Sequence, residues 1–261
     1  MLGLAALFGA VVGALLGLVG GGGGILAVPA LVYGLGLPLS AAVPASLVVI
    51  GTASVVAVAP RARRGVNWRL AGVIGAAGVP TAVLGGVVNH QFDQRVLLLA
   101  FAAIMVLAAV RMLRATDETG GVCDLPGGGV AWRRCLPRAL ATGLAVGFLT
   151  GLLGVGGGFL LVPAMIIALG LRTPVAVATS LVVIAINSAA GLIPYLLAGD
   201  ADAAMNWPVI AAFAFAAIVA SLPAGRLARR VPAAVLRRGF AVLVLLVAAG
   251  VTTQALTTLI D

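Results

Sequence analysis

The sequence predicts an all-α polytopic membrane protein made of two inverted-topology repeats, each of about five helical segments, with glycine-broken helices near the membrane midplane. Three observations predict this fold class. The 261 residues are 62% hydrophobic and 9% charged, whereas a soluble domain carries about 25% charged residues. Several apolar runs reach the ~18–20 residues that cross a bilayer. A long stretch of the first half also recurs in the second half.

The recurring stretch is 17–50, which aligns with 151–184 at a shift of 134 residues without a gap. Of its 34 positions, 20 are identical, and they include aligned glycines, prolines and serines. Chance matching of apolar sequence does not align these residue types together, so we infer two copies of one unit. The predicted organisation is a first transmembrane repeat (1–114), a cytoplasmic linker (115–136) and a second transmembrane repeat (137–261).

In the first repeat, residues 2–19 form the first predicted span. Residues 20–24 are five consecutive glycines, which lose too much backbone entropy to stay helical. Residues 25–37 are apolar but short, about 20 Å as a helix, and either cross obliquely or re-enter. Spans follow at 41–59, 70–88 and 96–113. Asn67 and Trp68 precede the span at 70–88 as an N-cap and an interfacial anchor.

The second repeat is predicted to follow the same order. A span at 139–153 is followed by a glycine break at 154–158 and a short apolar segment at 159–171. Further spans cover 174–198, 208–225 and 235–258. Asn206 and Trp207 repeat the cap-and-anchor pair at a shift of 139 residues, so this half carries five extra residues (139 minus 134) in its outer loop.

The positions of the arginines predict the orientation in the membrane. All 16 basic residues are arginine and lie in short loops between spans, so the net charge of +9 orients the chain and does not indicate nucleic-acid binding. The Arg-rich loop before Asn67 corresponds to an Arg-free loop before Asn206. The repeats are therefore predicted to be inverted, with both termini on the outer side of a cell membrane and only Arg95 facing outward.

The glycine clusters are the first candidates for a functional site. Irregular backbone at membrane depth is tolerated where it is buried or lines a wet cavity, and a helix that starts at a glycine presents free N–H groups and its positive dipole end to an anion. The alternative is that the glycines only pack helices closely. The candidate backbone residues of the two motifs are Gly20, Gly22, Gly23, Gly24, Pro29, Gly154, Gly156, Gly157, Gly158 and Pro163.

Hydroxyl and amide side chains in matched positions are the second group of candidates. Ser46 in the first repeat and Thr179 with Ser180 in the second are predicted to donate to an oxyanion, or else to bond back to their own helices. Asn187 is the most polar side chain within a predicted span, which indicates a place on the pathway. The partners predicted on this basis are a small anionic substrate and the lipid bilayer, and a homo-oligomer is compatible with the sequence.

Several classes of function are disfavoured by residues that the spans lack. No Asp, Glu, Lys or His lies inside the apolar core of any predicted span, which disfavours coupling through a core carboxylate. There is no catalytic set, metal cluster or nucleotide loop, so we expect no enzyme, cofactor or metal. Cys123 and Cys135 fit no metal motif, and free reduced thiols on the cytoplasmic side are expected.

The two motif copies carry a resemblance to a known family. The motifs are Gly151-Leu-Leu-Gly-Val-Gly-Gly-Gly-Phe-Leu-Leu-Val-Pro163 with Ala178-Thr-Ser-Leu181, and Gly22-Gly-Gly-Ile-Leu-Ala-Val-Pro29 with Ala45-Ser-Leu47. Over essentially its whole length the sequence resembles the sulfite exporter TauE/SafE family of membrane permeases. The resemblance implies a plasma-membrane transporter of small sulfur-containing anions such as sulfite or organosulfonates, and members of the family differ in direction. Because an inside-negative potential drives anions outward, we expect an exporter. The first copy departs from the pattern with Ala45 in place of Thr179.

Two other functions remain open from the sequence. A non-transporting membrane anchor or assembly module would use the glycines for packing alone. An anion channel, the weaker alternative, would conduct far faster than a carrier turns over.

Overall fold

The computed structural model describes residues 2–21, 23–62, 65–89, 94–114, 123, 132–153, 158–197, 206–228 and 231–257. These residues form helices and their connections, without a strand. The α-helices are α1 (Leu2–Val19), α2 (Gly23–Pro29), α3 (Leu39–Val58), α4 (Trp68–Asn89), α5 (Gln94–Arg114), α6 (Trp132–Leu153), α7 (Gly158–Ile167), α8 (Thr173–Leu197), α9 (Trp207–Leu227) and α10 (Ala233–Thr257). Six of them are long and apolar enough to cross a membrane, namely α1, α3, α4, α6, α8 and α9. The prediction of a multi-pass helical membrane protein is confirmed.

The short apolar segment of the first repeat runs back along α1. It consists of α2 and a π-helical turn at Ala30–Gly34. Gly23 at its start packs against Val12 and Leu16 of α1, and Gly34 at its end packs against Phe8. The segment therefore returns towards the beginning of α1, where α3 starts.

Helices of the two repeats pack on each other through a ladder of glycines. A Cβ added at Gly9, Gly13 or Gly17 of α1 would collide with the carbonyl oxygens of Phe213, Ala217 and Ser221 of α9, in that order. A Cβ added at Gly143, Gly147 or Gly151 of α6 would collide in the same way with Ile74, Gly78 and Ala82 of α4. Because small residues let backbones approach closely in membranes, these helices pack backbone to backbone. Both pairs run parallel, since the residue numbers rise together.

The two ladders are equivalent by the sequence repeat. Adding 134 to Gly9, Gly13 and Gly17 gives the three glycines of α6, and adding 139 to the α4 contacts gives the α9 contacts. The first helix of each repeat thus packs on the fourth helix of the other repeat, and the two repeats are interlocked.

The central helices α3 and α8 are the most buried spans and cross each other. Gly51 of α3 contacts Ser188 of α8, and Gly191 of α8 contacts Leu47, so the two helices run antiparallel. Helix α4 runs parallel to α8, because Gly75 meets Ile186 and Gly86 meets Pro194.

Arg61, in the 3₁₀ turn after α3, joins three helix ends. Its guanidinium donates to the carbonyl oxygens of Ala57 at 3.0 Å, Gly17 at 2.7 Å and Gly225 at 3.3 Å. The last carbonyls of a helix lack intrahelical donors and carry partial negative charge. The ends of α1, α3 and α9 therefore meet around one cation. At another helix end, the side-chain amide of Asn89 in α4 donates to the Leu152 oxygen near the end of α6.

The two predicted N-caps differ in the structure. The amide of Leu70 donates to Oδ1 of Asn67 at 3.1 Å, so the predicted cap of α4 is confirmed. Asn206 makes no side-chain capping bond, and its backbone oxygen instead accepts from Val209 and Ile210. The prediction of a second side-chain cap is wrong, because the Asn206 backbone (φ −80, ψ 86) lies outside the extended region usual for an N-cap.

The central linker prediction needs two additions. Helix α6 begins at Trp132, five residues before the predicted start of the second repeat at 137. Cys123 and Cys135 form a disulfide, and both are buried. The expectation of free reduced thiols is therefore wrong for this structure. The backbone amide of Cys123 donates to the Leu169 oxygen after α7 at 3.2 Å.

Candidate functional site

The glycine break of the first repeat is a sharp reversal between α1 and α2. Gly20 has φ +78, a left-handed conformation that glycine adopts without a steric penalty. A Cβ added there would lie 2.8 Å from the Val177 oxygen of α8. Both the backbone conformation and the contact therefore require glycine at this position. Gly23 and Gly24, predicted as part of the break, lie in the first turn of α2.

The two glycine motifs meet against the first half of α8. A Cβ added at Gly21 would collide with the carbonyl oxygen of Gly158, and one added at Gly158 would lie 3.1 Å from the Gly21 oxygen. The same Cβ would lie 2.7 Å from Cδ1 of Ile184 in α8. We call Gly20, Gly21, Gly158 and Ser180 the glycine junction. In this structure it is closed, so close backbone packing is the role these glycines serve here.

Helix α7 points its N-terminus at the junction. It begins at Gly158 and is ten residues long. Its first N–H groups have no intrahelical partner, and its dipole places partial positive charge there. This end of α7 therefore presents donors and positive potential at the contact between the two motifs.

Ser180 connects the junction to α8. Its hydroxyl lies 3.1 Å from the Gly20 oxygen and 2.9 Å from the Val177 oxygen, within donating distance of both. Thr179 Oγ1 accepts a hydrogen bond from the backbone N–H of Asn67 at 3.1 Å. This bond links α8 to the start of α4. The hydroxyl of Ser46 donates to Val43 of its own helix at 2.8 Å. The matched serines Ser46 and Ser180 share a bond to the carbonyl oxygen three residues earlier in their own helices.

The remaining motif residues lie around the junction without forming it. Pro29 ends α2 and is half-buried, and Pro163 is buried inside α7. The predicted residues Gly22, Gly154, Gly156 and Gly157 lie outside the described residues.

Asn187 lies seven residues after Ser180, about 10 Å further along α8, and is not part of the junction. Its side chain is fully buried, and neither Oδ1 nor Nδ2 has a hydrogen-bond partner. The hydroxyls of Ser54 and Ser188 are also buried without a hydrogen-bond partner. Each such group costs about 1–3 kcal/mol if it stays unsatisfied, so this cluster is a second candidate site.

Charged side chains are confined to the ends of the spans. Among the residues that the structure describes there is no Asp, Glu, Lys or His, and the arginines lie near helix ends. The same residues include no group that could hold a metal ion through His, Cys, Asp or Glu. Recognition of a ligand inside this part of the chain would rest on backbone groups, hydroxyls and the Asn187 amide.

A separate groove of about 540 Å³ opens between α6 and α7. Arg138 and Thr142 are its polar lining residues, and alanines and aliphatic side chains form the rest. It does not include the glycine junction or Asn187. An open, apolar groove on an apolar helix pair is the kind of surface that lipid chains fill, and we assign no ligand to it.

Sequence reasoning missed two features of the site. The glycine ladders are visible in the sequence as Gly9, Gly13 and Gly17, spaced four residues apart, and the small-xxx-small pattern would have found them. The bond from Asn67 to Thr179 carries no sequence signal, because it joins residues 112 positions apart.

Comparisons with known proteins agree on the class. The family model for "Sulfite exporter TauE/SafE" matches residues 5–251. A "Probable membrane transporter protein" of Xylella fastidiosa (strain Temecula1) is 33% identical over 247 residues, covering 92% of this chain and 90% of its relative. A probable membrane transporter protein of Methanocaldococcus jannaschii is 31% identical over 209 residues, covering 76% of this chain and 73% of the relative. A probable membrane transporter protein of Bacillus subtilis is 28% identical over 217 residues, covering 76% of this chain and 78% of the relative. No solved structure matches the chain significantly.

Proposed function

The chain belongs to the sulfite exporter TauE/SafE family, and from this premise we propose that it is a secondary transporter that exports small sulfur-containing anions, such as sulfite or an organosulfonate, across the plasma membrane. The match over 5–251 and the relatives named as probable membrane transporters support a multi-pass membrane protein of a transporter family. Substrate and direction are our proposal.

The proposed architecture is a pair of inverted repeats, with both termini on the outer side. Helices α3 and α8 occupy equivalent positions in the two repeats and run antiparallel. The Arg61 contacts bring the ends of α1, α3 and α9 together, whereas α4, α6 and α8 run parallel to one another. Opposed directions of equivalent helices support inversion, and inverted repeats with broken helices at mid-depth are common in secondary transporters.

The glycine junction is the proposed anion site, and its contact between Gly21 and Gly158 carries the proposal. The two motifs meet against the first half of a central helix, where the N-terminus of α7 supplies free N–H groups. In the closed state the backbones occlude each other. Separation of the two motifs would expose the α7 amides and the Ser180 hydroxyl to a small oxyanion, and re-closure would release it to the other side.

Export needs no coupling ion in this scheme. An inside-negative potential drives each negative charge outward with about 2.3 kcal/mol per 100 mV, and a dianion gains roughly twice that. The described residues contain no acidic side chain that would repel an anion or couple its transport to a proton.

One observation favours a second function. The glycine ladders and the junction are packed backbone to backbone, as expected for a non-transporting assembly module whose glycines only bring helices together. Such a module predicts that junction variants change stability and leave anion flux at the level of empty liposomes.

The test is voltage-driven sulfite flux in proteoliposomes. We expect saturable efflux that follows an imposed potential and is competed by small sulfonates. Gly21→Ala should abolish it, because the closed junction has no room for a Cβ, while Gly72→Ala, on an open face of α4, should leave it intact. Absence of flux for sulfite and for sulfonates would support the assembly module, and currents far above carrier turnover would identify a channel.

A further inference from the structure

The side-chain amide of Asn187 in α8 packs against a glycine of α4. A Cβ added at Gly78 of α4 would lie 2.6 Å from Oδ1 and 2.9 Å from Nδ2 of Asn187. The side chain is fully buried, and both its polar atoms lack hydrogen-bond partners among the described residues. The amide therefore occupies a space that only a glycine leaves open, without any protein group to satisfy it.

Two serines beside it share this property. Ser188 follows Asn187 in α8. A Cβ added at Gly51 in α3 would lie 3.2 Å from the Ser188 Cβ. Ser54 lies one turn beyond Gly51, and neither hydroxyl has a partner. Buried hydroxyls inside helices ordinarily donate to a carbonyl three or four residues earlier. Other span hydroxyls of this protein do so, namely Ser46, Thr52, Thr81, Thr150 and Ser221.

The equivalent contact elsewhere in the chain shows that the amide is not needed for packing. The equivalent of Asn187 is Ala53, and the equivalent of Gly78 is Ala217 (shifts of 134 and 139). Ala53 and Ala217 are both fully or almost fully buried. An alanine pair, one from each repeat, thus fills one of the two equivalent positions, while a larger polar residue and a glycine fill the other. The Asn187 amide thus lies at a position where a small apolar side chain is sufficient for packing.

The atoms available here suit a dehydrated monovalent cation. The Asn187 Oδ1 and the two serine oxygens are neutral oxygen ligands. Pro80 in α4 and Pro194 in α8 lack an N–H, so the carbonyls of Ala76 and Ala190, each within one turn of Gly78 or Asn187 along its own helix, lose their ordinary helical donors. Carbonyl and half-helix oxygens near mid-depth coordinate Na⁺ in transporters. An anion would find only the Asn187 amide and two hydroxyls as donors, without the helix N-terminus that the glycine junction has.

We propose that Asn187, Ser188 and Ser54 form a Na⁺ site between α3, α4 and α8, separate from the glycine junction. Binding of Na⁺ is independent of the proposed function. Its consequence, that Na⁺ occupancy biases the opening of the junction about 10 Å away, rests on the proposed function.

The experiment measures thermal unfolding of the purified full chain in NaCl, KCl and choline chloride at equal ionic strength. We expect a saturable rise in Tm that Na⁺ alone produces. The double variant Asn187→Ala with Gly78→Ala should lose this rise but still unfold cooperatively, because it recreates the Ala53–Ala217 pair. Asn206→Ala, which removes an amide that makes no capping bond, should keep the rise.

Three outcomes would overturn the proposal. A Tm that is equal in all three salts would indicate a buried water in place of an ion. A Na⁺ effect that survives in the double variant would place the ion elsewhere. A rise produced by sulfite, and lost in the double variant, would assign Asn187 to the anion. Sulfite flux is measured separately to distinguish the two proposals. Flux without a Na⁺-dependent rise in Tm would contradict the Na⁺ site alone. A Na⁺-dependent rise in Tm without flux would contradict the transport proposal alone.

Discussion

The hydroxyl of Ser180 lies 3.1 Å from the backbone oxygen of Gly20, a contact between residues 160 positions apart. Each residue belongs to one of the two motif copies. The bond fixes the reversal between α1 and α2 against the first half of α8. Its counterpart in the first repeat, Ser46, bonds to Val43 of its own helix, just as Ser180 also bonds to Val177.

Replacement of Ser180 by alanine should weaken the junction slightly. An interhelical hydrogen bond in a membrane contributes on average about 0.6 kcal/mol, which corresponds to a Tm lower by roughly 1–2 °C for a chain of this size. If the junction opens during transport, the variant should also change the flux in proteoliposomes. Thermal unfolding and flux are measured on the same preparation.

The matched control for this variant is Ser221→Ala. The Ser221 hydroxyl is buried and donates to Ile218 of its own helix, so its removal breaks no bond between helices. Equal effects of the two variants on flux would contradict a special role for Ser180.

Much of the fold is predictable from the sequence because its signals are local or repeated. Apolar runs of sufficient length place α1, α3, α4, α8 and α9 within two or three residues. The internal repeat identifies equivalent helices through residue identities alone. Asn67 is recognisable as a cap, because its signal depends on the three residues that follow it.

The site is less predictable, since the contacts that build it join distant residues. The meeting of Gly21 with Gly158 follows from how the repeats interlock, which no single stretch encodes. The sequence also does not reveal which hydroxyls bond back to their helices. Ser46 does so and Ser54 does not, although both lie in the same apolar span.

The glycine ladders should be intolerant of a single methyl group. Gly13→Ala and Gly147→Ala place a Cβ onto the carbonyl oxygens of Ala217 and Gly78. Overpacking of this kind costs about 1–3 kcal/mol, or a Tm lower by roughly 2–12 °C. The two variants should behave alike, because their positions are equivalent in the repeat.

Gly72→Ala is the control for the ladder variants. An added Cβ there meets nothing within 4 Å, so the change should be neutral or stabilise by about 0.5–1 kcal/mol through helix propensity. A loss of stability at Gly72 as large as that at Gly147 would show that helix geometry, and not interhelical contact, determines the effect.

Arg61→Gln should destabilise the meeting point of three helix ends. Its guanidinium donates to the oxygens of Ala57, Gly17 and Gly225, and hydrogen bonds to a charged group are worth about 1.5–3 kcal/mol. We expect a lower Tm and faster proteolysis in the loop after α3. Arg172→Gln, at an exposed side chain, is the control, and the idea fails if both variants unfold at the wild-type temperature.

The disulfide between Cys123 and Cys135 tests the orientation of the whole chain. The Arg-rich linker is predicted to be cytoplasmic, where cellular reductants keep thiols reduced. We therefore expect both cysteines to react with a membrane-permeant maleimide in intact cells. In air-oxidised purified protein they should be protected until dithiothreitol is added, and closure of a loop of this length should then stabilise the protein by about 3 kcal/mol. Because both cysteines are buried, Cys135→Ser, which cannot form the bond, gives the reference for the reactivity of an unpaired Cys123. Protection of both thiols in intact cells would place the linker on the oxidising side, which would invert the proposed topology and move both termini inside.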